Sequence, residues 1–195
     1  DYGRSRGLGD VYKRQLWIAY KSIKMVNQSI NFNFFRSAKN TFKKEIDSIS
    51  KIPLELDSKN YNKFCQEILS NNGNLFLMGI GKSGNIAEKI CSTLSSTGTP
   101  AIYINAAEAS HGDLGMLTKK DLLIVFSFSG ETEEILKILP SCKKKVKNIL
   151  SVTGNKKSTL SNNSKISITL RIDEEACPMD LSLIHISEPT RPAII

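Results

Sequence analysis

The sequence predicts an α/β three-layer sandwich: a five-stranded parallel sheet flanked by helices. Three observations carry that reading. Five short apolar runs, LFLMG (75–79), AIYI (101–104), LLIVFS (122–127), NILSV (148–152) and ISITL (166–170), are continuous rather than alternating, as strands covered on both faces are. Helical stretches at about 83–96, 106–111 and 131–142 separate the first four runs, which supplies the crossovers that parallel strands need. Turns rich in glycine and serine follow the first and third runs, at the carboxyl ends where ligands bind in doubly wound sheets.

The elements follow in order. From Phe35 to Leu56 the apolar positions Phe35, Ala38, Phe42, Ile46, Ile49 and Ile52 recur at three- and four-residue spacing, one face of an amphipathic helix, with Pro53 expected to kink or end it. Ser58 is expected to cap a second helix carrying Tyr61, Phe64, Cys65, Ile68 and Leu69, which Asn71-Asn72-Gly73 closes. The strand and helix alternation begins after that stop. A helical segment over 16–57 and a sheet domain over 58–180 are the expected units.

A length of 195 residues suits one globular domain, and composition narrows its class. The longest apolar run falls short of a membrane span, so no membrane partner is expected. Cys65, Cys91, Cys142 and Cys177 are widely spaced, neither a zinc pattern nor a secreted disulfide framework, and fit a reducing cytoplasm. Lys and Arg number 27 against 19 Asp and Glu. The lysines are scattered apart from Lys143, Lys144, Lys145 and Lys147, and no aromatics interleave with them as a nucleic-acid surface requires. The positive balance suits a small anionic substrate at least as well as nucleic acid, and no nucleic-acid partner is expected.

Both ends are expected to be foreign to the domain. Residues 5–15, SRGLGDVYKRQ, can be encoded by a DNA string whose reverse complement, read in frame, encodes residues 181–191, LSLIHISEPTR. That inverted repeat has no structural meaning in a protein and resembles a sequencing adaptor joined to both ends of an insert. Residues 1–15 and 181–195 are therefore expected to be adaptor-derived, leaving a natural fragment of about 16–180 cut from a longer gene.

Four segments carry chemistry. The first strand runs into Gly79-Ile80-Gly81-Lys82-Ser83-Gly84, which satisfies G-x-G-x-x-G in form. A P-loop would need glycine where Phe76 stands, and a dinucleotide site would need an acidic residue where Ile104 and Asn105 stand. What remains is a turn that lets backbone approach an anion, with Lys82 and Ser83 beside it. The third strand ends in Ser127-Phe128-Ser129-Gly130-Glu131-Thr132 and a helix follows. Hydroxyls converging on a helix N-terminus form a cup for a phosphate monoester, although Ser129 could instead simply cap the helix. Between the second and third strands, Glu108-Ala109-Ser110-His111-Gly112-Asp113-Leu114-Gly115 holds the one histidine of the natural fragment, either structural or a proton carrier. After the fifth strand, Asp173-Glu174-Glu175-Ala176-Cys177-Pro178 brings carboxylates to the same edge, with Cys177 read as packing.

In this order GIGKSGNIAEKI, STGTPAIYINAAEASHGDLGML, SFSGETEEI, VTGNKKSTL and EEACP resemble the sugar isomerase (SIS) domain, of flavodoxin-like fold. E-A-S-H-G-D-L-G with E-A-C-P is similar to its arabinose-5-phosphate isomerase group. The resemblance implies an aldose-ketose isomerase interconverting D-ribulose 5-phosphate and D-arabinose 5-phosphate on the way to Kdo and lipopolysaccharide. It implies no metal and no organic cofactor. Ser83, Ser127, Ser129 and Thr132 match the family's phosphate-holding positions; Lys82, His111, Glu134 and Glu175 match its catalytic ones. Glu134 or Glu175 would be the base, and His111 or Lys82 the proton relay or enediolate stabiliser. The group resembles homotetramers with paired CBS domains after the isomerase domain. A family histidine downstream of E-A-C-P has no counterpart before residue 180, so this 195-residue chain is itself expected to be inactive. The alternatives are a phosphosugar-binding regulatory domain and an isomerase of the sedoheptulose-7-phosphate type.

Overall fold

A computed structural model describes residues 33–172 of the chain. Two units divide it, residues 1–43 and 44–195. The described part of the first, residues 33–43, is the opening of helix α1 (Phe34–Glu55), where Lys39 Nζ lies 5.4 Å from the Phe35 ring centroid, a cation-π contact. No residue of α1 is buried, and Phe34, Phe35, Phe42, Ile46, Ile49 and Leu54 are all exposed. Pro53 lies inside the helix's last turn rather than ending it at once.

In the second unit, α2 (Ser58–Leu69) is followed by β1 (Leu75–Gly79), α3 (Gly81–Ser96), β2 (Ala101–Asn105), β3 (Leu122–Phe126), α4 (Glu133–Lys145), β4 (Asn148–Thr153), α5 (Thr159–Asn162) and β5 (Ile166–Thr169). The sheet order is β2-β1-β3-β4-β5 and every pair is parallel. Met78 of β1 lies between Ile104 of β2 and Val125 of β3. From β1 the chain crosses to one side to make β2, then returns past β1 to make β3 and proceeds outward. The reversal leaves a crevice between the carboxyl ends of β1 and β3, where ligands of doubly wound sheets sit.

Alternation along the strands splits the core into two layers. Leu75, Leu77 and Ile124 pack with Phe64 of α2 and Ala87 and Cys91 of α3. Phe76, Met78, Leu123 and Val125 point the other way, onto Ile135, Ile138, Leu139 and Cys142 of α4 and Leu160 of α5. Coverage of both faces explains why the central strands β1 and β3 read as unbroken apolar runs, whereas the edge strands β2 and β5 are only partly covered. Each fully buried Leu, Phe or Met contributes roughly 1.5–3 kcal/mol.

Local chemistry shifts three expected boundaries. Asp57, not Ser58, caps α2: its carboxylate accepts the Asn60 N–H at 3.0 Å, and Ser58 is the first helical residue. The stretch 106–111 is not an α-helix. Asn105 Oδ1 accepts the Ala107 N–H at 3.0 Å, a local turn, and two short 3₁₀ turns follow, Ala109–His111 and Asp113–Met116, separated by Gly112 at φ 140°. That φ is open to glycine and closed to a continuing helix. The helix expected over 131–142 starts at Glu133 and runs to Lys145, with Glu133 and Glu134 in its first turn and Lys143, Lys144 and Lys145 in its last, the charge order a helix dipole favours.

At the amino end of β3 sits a charge that the sequence did not flag. Asp121 is 1% exposed, and its carboxylate accepts the Asn74 N–H at 2.7 Å, the Thr118 N–H at 2.7 Å and the Thr118 hydroxyl at 2.8 Å. Burial pushes its carboxyl up, but the hydrogen bonds from Thr118 and Asn74 outweigh it and hold the group below the usual carboxylate value. It ties the α2–β1 turn to the start of β3, at the end of the sheet away from the ligand-bearing loops.

Candidate phosphosugar site

The β1–α3 turn is built by three glycines with separate jobs. At Gly79 a side chain would collide with the Gly84 nitrogen and the Ser83 backbone, so the strand end and the helix start can touch only without one. Gly81 has φ 57°, left-handed backbone that opens the helix. At Gly84 a Cβ would lie 2.5 Å from the Tyr103 hydroxyl, which itself donates to the Gly79 carbonyl at 3.2 Å. Burial raises the Tyr103 pKa, with the charges of Glu88 and Cys91 adding to it. G-x-G-x-x-G is thus accounted for by tight strand-to-helix packing. Lys82 and Ser83 ride in the first turn of α3, Lys82 exposed and Ser83 half-buried.

The loop after β3 folds on itself. Ser127, 3% exposed, has its hydroxyl 2.8 Å from that of Thr132 and accepts the Gly130 N–H at 3.0 Å. Ser129 Oγ accepts the Glu131 N–H at 3.2 Å. Ser129 therefore shapes the loop and does not cap α4. The N-cap residue is Thr132, whose hydroxyl makes no capping bond to the helix. The first intrahelical bond runs from the Leu136 N–H to the Thr132 carbonyl at 3.0 Å, so the amides before it lead out of the helix beside the Ser127, Ser129 and Thr132 hydroxyls. Gly130, at φ 67°, makes the bend possible.

These two loops follow the adjacent parallel strands β1 and β3, so the structure brings Lys82, Ser83, Ser127, Ser129 and Thr132 to one crevice edge. His111 lies on the 3₁₀ turns after β2, the other neighbour of β1, and is exposed. Glu134 is the second residue of α4, two positions beyond Thr132, and is exposed. Glu175 and Cys177 lie outside the described residues. Cys91 and Cys142 are buried free thiols, and burial raises both pKa values, Cys142 to about 11, so they are packing groups and not nucleophiles. Among the described residues no three His, Cys, Asp or Glu side chains gather as a metal site requires.

A groove of about 730 Å³ lies elsewhere, along α2 and the amino end of β5, lined by Lys63, Gln66, Glu67, Leu69, Ser70, Lys165 and Ile166. Its charges answer one another: Glu67 takes Lys165 Nζ at 2.7 Å and Asn148 Nδ2 at 2.8 Å. The convergent hydroxyls and helix starts are at the opposite ends of the strands.

Two residues of the β3 loop's surroundings gave little signal in sequence. Ser158 is fully buried and fills the space a Cβ at Gly130 would need; its hydroxyl accepts the Ser161 N–H at 3.2 Å and caps α5. Glu131 Oε1 accepts the Thr159 N–H at 2.6 Å. The Ser-Thr pair before an apolar residue in KKSTL was the available cue for the cap.

The SIS domain profile matches residues 68–186. The chain is 42% identical over 149 residues to arabinose 5-phosphate isomerase KdsD of Francisella tularensis, covering 75% of this chain and 45% of that protein. It is also 42% identical over 146 residues to arabinose 5-phosphate isomerase KpsF of Escherichia coli CFT073, again over 75% of this chain and 45% of that protein. The chain thus spans somewhat less than half the length of these curated relatives. Among solved structures, an Escherichia coli CFT073 protein in complex with arabinose 5-phosphate superposes with a TM-score of 0.73 at 33% identity, over 78% of this chain and 81% of that one. With the profile spanning more than half of the sequence and a five-stranded parallel sheet in the order β2-β1-β3-β4-β5, the chain belongs to the SIS-domain family.

Proposed function

We propose that this chain carries the catalytic domain of an aldose-ketose isomerase that interconverts D-ribulose 5-phosphate and D-arabinose 5-phosphate. What supports the proposal is the loop carrying the Ser127, Ser129 and Thr132 hydroxyls between the carboxyl end of β3 and the start of α4, in a chain related to KdsD and KpsF isomerases. In this reading Ser83, Ser127, Ser129 and Thr132 hold the substrate phosphate, with the amides at the start of α4 adding backbone donors.

The phosphate anchors one end of a five-carbon chain, so the C1–C2 end reaches the groups around the cup. A carboxylate, Glu134 or Glu175, takes the proton from C1 of the ketose and returns it to C2. His111 or Lys82 moves the hydroxyl proton between O1 and O2 or steadies the enediolate between those steps. The proton removed from carbon returns to carbon and the hydroxyl proton stays on oxygen, so the reaction balances with no metal, redox partner or organic cofactor. The parent protein, in this reading, works in the cytoplasm as a homotetramer and feeds Kdo and lipopolysaccharide synthesis.

The test is substrate binding and turnover in the parent protein, meaning one that carries this domain at the length of its curated relatives. Ser127→Ala, Ser129→Ala and Thr132→Ala each remove one charge-assisted hydrogen bond, worth about 1.5–3 kcal/mol, and should weaken D-arabinose 5-phosphate binding roughly tenfold or more by calorimetry. Unchanged affinity in all three variants rules the cup out. Saturable binding with no turnover of ribulose 5-phosphate moves the domain to the phosphosugar-sensing class.

A further inference from the structure

Glu131 is the one acidic residue inside the cup sequence, where a negative charge would oppose a phosphate. The structure turns it outward: its Oε1 accepts the Thr159 N–H at 2.6 Å, from the first residue of α5, 28 residues along the chain. The neighbouring contacts act on the same joint. The Gly130 carbonyl accepts the Leu160 N–H at 3.1 Å, and Ser158, fully buried, packs where a Gly130 side chain would be. On the other flank the Phe128 carbonyl accepts the Gly154 N–H at 2.8 Å, and the Ser127 N–H donates to the Val152 carbonyl at 3.2 Å. The loop is therefore gripped from β4 and α5 on its outer side, while the Ser127 and Ser129 hydroxyls bond within it.

Of these grips, three use backbone carbonyls that any sequence would offer. Among these hydrogen bonds, the one accepted by Glu131 is the side-chain choice. Its carboxylate accepts the first amide of α5 and so tethers the residue that follows the left-handed Gly130. We propose that Glu131 is a positioning residue of the phosphate cup, holding Ser129 and Gly130 in register for the phosphate by anchoring the loop to α5 and making no contact with the substrate itself. This rests on the cup reading above.

Two substitutions break the anchor from opposite sides. Glu131→Ala removes the acceptor. Thr159→Pro removes only the donor: Thr159 is the first residue of α5, a position proline tolerates, and Ser158 before it already has φ −65° and ψ 157°, the conformation proline demands of its predecessor. In the parent protein either change should raise KM for ribulose 5-phosphate, and the inhibition constant of inorganic phosphate, about tenfold with kcat within twofold. The double variant should be no worse than either single one, because both remove the same bond. Glu131→Gln keeps an acceptor oxygen and should recover most of the phosphate affinity. Additive effects, a fall in kcat at constant KM, or a Gln variant as impaired as Ala each overturn the proposal. If Ser127→Ala, Ser129→Ala and Thr132→Ala weaken phosphate while Glu131→Ala and Thr159→Pro do not, the anchor alone is wrong. If none of the five affects phosphate, the cup reading and the anchor fall together.

Discussion

Replacing the general base by its isosteric amide, Glu134→Gln or Glu175→Gln, should lower turnover of ribulose 5-phosphate in the parent protein by about 100- to 10,000-fold while leaving phosphate-dependent binding intact. Glutamine fills the same space and accepts the same hydrogen bonds, but it cannot take a proton from carbon. The loss therefore falls on kcat, which the cup substitutions would spare in favour of affinity. Glu134 has position on its side: it stands on the first turn of α4, two residues past the Thr132 hydroxyl of the cup, on an element whose buried Ile135, Ile138 and Leu139 fix it against the sheet. A rigid helix holds a base to the small tolerance that proton transfer needs. Glu175 competes through its match to E-A-C-P. Calorimetric affinity for arabinose 5-phosphate, measured beside single-turnover rates, separates the two effects. Normal turnover in both Gln variants would remove the carboxylates from the proton step and leave Lys82 or His111 as the base.

The central strands were readable because β1 and β3 contribute unbroken apolar runs, as a sheet covered on both faces requires. Leu75 to Gly79 and Leu122 to Phe126 were found almost to the residue for this reason. The loops were readable where a residue type has one purpose, as with glycine at positive φ in Gly81 and Gly130. What escaped depends on partners distant in sequence. Glu131 looks like an ordinary first-turn acid until Thr159 is brought to it, and Ser158 looks like a loop serine until α5 forms. A four-residue helix such as α5 has too few positions to show periodicity. The turn at 106–111 failed differently: its small and polar residues fit a helical spacing, but Asn105 and Gly112 set local backbone geometry that overrides it. The three- and four-residue spacing of Phe35, Phe42, Ile46 and Ile49 did mark a helix, and no residue of it is buried.

Asp121 is the clearest case of a residue whose role only tertiary structure discloses, and it supports the second large effect. Asp121→Ala should destabilise the domain by about 3 kcal/mol, because it removes three charge-assisted hydrogen bonds that tie Asn74 and Thr118 to a buried carboxylate. For a domain of this size that is a fall in Tm of roughly 6–12 °C. The sign with pH is fixed by the direction of the shift. The folded-state pKa lies below the unfolded one, so the stabilisation is fully present above the unfolded value, near 4 for an aspartate, and drains away as pH falls through the folded value. The gap in stability between native protein and Asp121→Ala should therefore be widest near neutrality and narrow in acid. Because Asp121 stands at the amino end of β3, whereas the cup stands at the carboxyl end, the folded fraction of the variant should bind arabinose 5-phosphate with unchanged affinity. Denaturant midpoints at pH 7 and pH 3, with affinity measured on the folded variant, check both halves. A gap that persists undiminished in acid would show that the lost packing, and not the carboxylate's ionised hydrogen bonds, carries the stability.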